Sequence, residues 1–155
     1  MEREHFLYKI DGVFRFKTAD ENNSIVTQKL GIEPTWGWNK GDEYFIKRIN
    51  EIHYRPYGIW GFQAIPIFID VTDISPMIQF FRELLYGKIE IVNELIDEYK
   101  FECSIYITIY TEEEGACGTS ISREDLDFLS KVCSHFDITY LTIENVENFK
   151  IGNSC

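Results

Sequence analysis

Phe101, Cys103, Ile105, Ile107 and Ile109 alternate with Glu102, Ser104, Tyr106, Thr108 and Tyr110, and a period of two held over ten residues marks a strand with one buried and one wetter face. Such a strand belongs to a sheet covered on one side. Its alternation differs from the continuous apolar run that marks a sheet buried on both faces.

Elsewhere Phe6, Tyr8, Ile10, Val13, Phe14 and Phe16 fall among polar residues with Asp11-Gly12 between them, which predicts a strand, a bulge or turn, and a second strand. Residues 44–49 and 57–62 have the aromatic and β-branched enrichment of strands, with a turn over 50–56. Residues 64–71 form a further strand that Pro66 confines to an edge or to irregular structure. Residues 136–143 alternate as a last strand.

Four stretches have helical spacing. Asn22, Asn23 and Ser24 offer caps to a short helix with Ile25, Val26 and Leu30 on its stripe. Ser75-Pro76, a capping hydroxyl and a proline at the first position, opens a second helix with Met77, Ile78, Phe81, Leu84 and Leu85 along one side. A third covers 88–99. Ser122 and Asp125 resemble a capping box before the stripe Leu126, Leu129, Val132 and Cys133. Strands, helices, then strand-helix-strand predict an α+β fold: a mainly antiparallel sheet with helices on one face, ferredoxin-like with an extra helix-strand unit. With 155 residues, 45% of them apolar, the expected organisation is one domain over 1–143 and a loosely held tail over 144–155.

The most unusual stretch is 30–42, Leu-Gly-Ile-Glu-Pro-Thr-Trp-Gly-Trp-Asn-Lys-Gly-Asp. Gly31 can close the preceding helix in a left-handed conformation and Pro34 prevents its resumption. Extended backbone would put Trp36 and Trp38 on one side before Lys40-Gly41-Asp42 turns the chain. These residues suit an interface anchor; equally, the rings could cover the end of the core while Lys40 and Asp42 hold the turn. For Trp60, between two glycines, the expectation is packing.

The net charge of −11 lies wholly in the second part of the chain. Residues 1–63 hold nine Lys/Arg and nine Asp/Glu, residues 64–155 six and seventeen. Such a surface repels nucleic-acid phosphate and anionic membrane and attracts a basic protein. Apolar runs such as 64–69 fall short of a membrane span and the N-terminus is charged, so a soluble, cytoplasmic protein is expected. Cys103, Cys117, Cys133 and Cys155 form no CxxC pair, which suits free thiols.

No nucleophile elbow, zinc-protease motif or phosphate loop is present. His5, His53 and His135 have no partner at ligand spacing. Glu112, Glu113 and Glu114 point in different directions and read as a solvated acidic loop, and they would raise the pKa of Cys117 nearby. No cofactor or metal is expected.

Gly31, Pro34-Thr35 and Lys40-Gly41-Asp42, followed by Gly58-Ile59-Trp60, a helical middle and a final strand-helix-strand, resemble the bacterial family catalogued as domain of unknown function 4279. The resemblance runs from about residue 6 to 143. It implies no reaction, but small acidic proteins of this kind look like immunity proteins that neutralise a cognate toxin. The expected function is therefore a non-catalytic protein-binding module for a basic protein such as a toxin, with Trp36, Trp38, Lys40, Asp42 and Glu112–Glu114 as contacts. The alternative is a small-molecule-binding or enzymatic domain whose pocket gathers Trp38, Lys40, Asp42 and Tyr110 near the 30–42 loop.

Overall fold

The computed structural model describes residues 8–111 and 118–142. The elements run β1 (Tyr8–Thr18), α1 (Ser24–Leu30), β2 (Trp36–Trp38), β3 (Glu43–Ile46), β4 (Glu51–Tyr54), β5 (Gly58–Gln63), β6 (Ile67–Ile69), α2 (Ser75–Leu84), α3 (Ile89–Asp97), β7 (Glu102–Thr111), α4 (Arg123–Val132) and β8 (His135–Thr142). Six strands form one sheet in the order β2-β5-β1-β7-β8, with β6 also on β1, while β3 and β4 pair by themselves. All pairs are antiparallel except β7–β8. The fold is α+β with a mainly antiparallel sheet, as the alternation predicts.

The expected break at Asp11-Gly12 does not occur. β1 is one strand of eleven residues whose even positions are all buried, and Gly12 pairs with Ile107 in an unbroken ladder. Glycine is there for space. A Cβ on it would lie 2.5 Å from Met77 Sδ and 2.9 Å from a Phe81 ring carbon, so α2 packs directly on the strand backbone.

That contact also identifies the covered face. Ile10, Phe14 and Phe16 of β1, Trp60 of β5 and Cys103, Ile105, Ile107 and Ile109 of β7 join Val26, Leu30, Met77, Ile78, Phe81, Val92, Leu95, Phe128, Leu129 and Val132 of the helices in one core. Phe14, Phe16 and Trp60 meet edge to face at 5.0–6.1 Å. The expected packing role of Trp60 holds, and its indole N–H donates to Thr27 Oγ1 at 2.9 Å.

Several local expectations change. Asn23 does not cap α1 with its side chain; its Nδ2 donates to the carbonyls of Trp38 (2.9 Å) and Ile59 (2.8 Å), pinning the helix start to β2 and β5. Ser75 does not cap α2 either. Its Oγ donates to Asp125 Oδ2 at 3.1 Å, because a buried carboxylate on α4 needs donors more than a solvated helix end does. Gly31 does close α1, at φ 67°, and Ser122 Oγ accepts from Asp125 N at 3.0 Å as a cap should. Leu126, placed on the buried stripe of α4 from sequence, is exposed, and Asp125 and Phe128 are buried instead. Arg82 makes this tolerable, its Nη2 lying 2.7 Å from Asp125 Oδ1. The turn expected over 50–56 contains β4, so residues 43–54 form a separate hairpin with its turn at 47–50 and Asn50 at φ 53°. Pro66 separates β5 from the short β6, which pairs at the edge of β1 as expected.

β1–α1–β2 is a split crossover, with β5 between its two parallel strands, as in a ferredoxin-like sheet. The second crossover is not split, since β8 lies directly beside β7. The tail over 144–155 lies outside the described residues.

Candidate functional site

The four helices among the described residues lie on one face of the sheet, and the opposite face collects the less ordinary chemistry. The odd positions of β1, the tryptophans of β2, and Ser104, Tyr106, Thr108 and Tyr110 of β7 share it by register. β2 owes its orientation to Gly37, which points toward the helices where a Cβ would lie 2.6 Å from the Ile59 carbonyl oxygen and 3.3 Å from Asn23 Nδ2. Trp36 and Trp38 thus lie side by side on the far face, as their spacing predicts, with ring centroids 5.6 Å apart.

Trp36 rests flat on β5. Three atoms of its indole would be 2.4–2.7 Å from a Cβ at Gly61, so only glycine leaves room for the ring. Trp38 continues a column of stacked groups: the Arg55 guanidinium lies 4.1 Å from its ring centroid and 4.0 Å from that of Tyr44. The column fastens the β3–β4 hairpin to the sheet, together with Gly41 N–H to the Arg55 carbonyl (2.8 Å) and Arg55 N–H to the Asp42 carbonyl (2.9 Å).

On β1 each cation also faces a ring. Lys9 lies 4.9 Å from the centroid of Tyr110, Arg15 4.6 Å from Tyr106 and Lys17 4.7 Å from Tyr57. Lys9 is neutralised by Asp11 at 3.2 Å. Among the described residues no carboxylate pairs with Arg15, Lys17 or Arg55, although the chain carries a net charge of −11. Arg15 Nη2 donates to the Tyr106 hydroxyl. Among the described residues four buried side-chain atoms lack a hydrogen-bond partner: Asp11 Oδ1, Arg15 Nε, Trp38 Nε1 and Ser104 Oγ. All four belong to the far face. Burial, and then the neighbouring Asp11 carboxylate, push the Tyr110 phenol above its usual pKa.

The residues singled out from sequence divide. Trp36 and Trp38 come together. Lys40 reaches away to Asp20 at 3.2 Å, and Asp42 Oδ2 accepts from Asn39 N–H at 2.7 Å, so both hold the turn. Tyr110 sits three strands from Trp38, about 14 Å across the sheet, and far along it. The pocket expected to gather Trp38, Lys40, Asp42 and Tyr110 is therefore not formed. A cleft of about 150 Å³ lies instead beside Asp20, Glu21, Glu98 and Lys100. Glu112, Glu113, Glu114 and Cys117 lie outside the described residues. Sequence reading missed Arg15, Lys17, Arg55, Tyr57, Ser104 and Tyr106. The lost signal was parity: a continuous β1 puts Lys9, Asp11, Arg15 and Lys17 on one face, and an assumed turn at Gly12 scrambles it.

His53 Nε2 lies 3.1 Å from Glu51 and His135 Nε2 3.7 Å from Glu102, and no group of three or more His, Cys, Asp or Glu among the described residues could hold a metal ion. Nor is any helix among them long and apolar enough to cross a membrane.

Fold and site together define an α+β protein with one helical face and one face of paired cations and rings. A family model described as domain of unknown function (DUF4279) matches residues 9–142, and the chain belongs to that family. No curated protein and no solved structure matches it.

Proposed function

We propose that this is a protein-binding module acting by stoichiometric association in the cytoplasm, in the manner of an immunity protein that neutralises a bacterial toxin. The observation that supports this reading is the β3–β4 hairpin. Phe45, Ile52 and Tyr54 are 54%, 60% and 62% exposed, and the register puts all three on one face of a two-stranded ribbon. Such a ribbon is at best marginal alone and has no core of its own. The opposite face of the ribbon, carrying Tyr44, is joined through Arg55 to the Trp36–Trp38 pair, and aromatic residues with arginine are the composition of an interface centre. The exposed carboxylates Glu90, Asp97 and Glu98 on the helical side would hasten encounter with a basic toxin, with no role for nucleic acid or membrane.

The test is a pull-down of the tagged full chain from its own cells at low salt, followed by reconstitution with the purified partner. The expected result is a basic protein bound one to one, released by salt and lost with the double variant Phe45→Ser/Ile52→Ser. No partner, or one held equally well by that variant, overturns the reading.

A further inference from the structure

Arg15, Gly61 and Trp36 stand directly across from one another on β1, β5 and β2, and Ser104 continues the row on β7. We propose that this row is a small-molecule site for a phosphorylated nucleoside, with the base on the Trp36 ring and the phosphate on Arg15 and Lys17.

Three observations meet there. The first is unused hydrogen-bonding capacity. Arg15 spends Nη2 on the Tyr106 hydroxyl, its Nε has no acceptor, and the hydroxyl of Ser104, which is 0% exposed, has no partner. An oxyanion with several lone pairs answers that deficit as a neutral ligand cannot. The second is charge. Arg15 and Lys17 are consecutive outward positions of β1, about 7 Å apart, and Arg55 stands two strands away over Trp38. All three lack a carboxylate partner among the described residues. Glu102 is directly opposite Lys17, but its ion pair is with His135 at 3.7 Å. Cations held over Tyr106 and Tyr57 are already oriented, so little freedom is lost when they bind an anion. The third is the ring. Because Trp36 lies flat on Gly61, its other indole face turns away from the sheet and offers a platform for a planar base, as aromatic side chains do for nucleobases elsewhere. A dianion attached to a flat ring matches both halves of the row; a bare carboxylate matches one.

The experiment is calorimetric titration of the full chain with AMP, UMP, adenosine and inorganic phosphate, with tryptophan fluorescence as a second readout. The expected result is that a nucleotide binds at least about tenfold more tightly than adenosine or phosphate alone, quenches the fluorescence, and weakens as salt rises. Arg15→Gln and Lys17→Gln should each cost about tenfold or more in Kd, and Trp36→Leu should bring AMP to the level of phosphate. If Arg15→Gln does not fold, Lys17→Gln, altering a more peripheral side chain, carries the test. No binding of either nucleotide at millimolar concentration, equal binding of AMP and phosphate, or affinity unchanged in both glutamine variants overturns the site. Phe45→Ser/Ile52→Ser should leave nucleotide binding intact, so this site and the protein-binding reading fail separately.

Discussion

Gly12 shows how one residue can look like a turn and serve as a packing surface. Met77 and Phe81 occupy the space a side chain would need, so Gly12→Ala forces α2 off the sheet, at a cost of about 1–3 kcal/mol. Denaturant unfolding should show this as a lower midpoint with an unchanged slope. The Arg82 cluster separates a buried ion pair from an exposed one on a single guanidinium. Asp125 is almost wholly buried beside Nη2, while Glu124 pairs with Nη1 at 3.1 Å from an exposed position. Arg82→Leu strands the Asp125 carboxylate and should cost about 3 kcal/mol. Glu124→Gln should stay within about 0.5 kcal/mol, and equal losses for the two changes would contradict this account.

Among the elements, α1 depends more on its anchor than on its length. Seven residues make a helix too short to persist without tertiary support. Asn23 provides that support by donating to the Trp38 and Ile59 carbonyls, and its loss removes this donor from both. Asn23→Ala should therefore destabilise by about 1–3 kcal/mol and alter Trp36–Trp38 fluorescence, because the same bonds hold β2 in place. The β3–β4 hairpin has the opposite character. Phe45→Ser/Ile52→Ser removes side chains that cover little else, so thermal unfolding should change by about 0.5 kcal/mol or less while partner binding is lost.

Over the whole molecule, stability should fall on the alkaline side. Cys103, on the helical side of β7, and Cys133, at the end of α4, are free thiols. Burial raises both: Cys103 well above its usual value, chiefly through desolvation, and Cys133 to about 11. A thiol raised in the folded state holds its proton there and loses it on unfolding, so its contribution is complete below the ordinary pKa of 9.0 and disappears as pH climbs toward 11. The midpoint of denaturant unfolding should be flat below that range and decline through it. Cys133→Ser should flatten part of the decline, and alkylation of Cys103 and Cys133 in the native protein should be slow at neutral pH.

Periodicity made β7, β8 and all four helices readable, because burial of one face imposes a repeat of 2 or 3.6 on any chain that packs a single core layer. The Trp36-Gly37-Trp38 pair was equally readable, since alternation places both rings on one side. What became of the even and odd positions of β1 was not, because Gly12 is a turn residue by local rule and a packing site only once α2 lies across it. Nor could spacing show that Arg15, Gly61 and Trp36 share one row. Their nearness is created by long-range strand pairing, which joins Arg15 to Gly61 across 46 residues, and no local preference encodes that register. Two of the expected helix caps failed for the same reason: Asn23 and Ser75 found stronger demands, two strand carbonyls and a buried carboxylate, that exist only after the chain has folded.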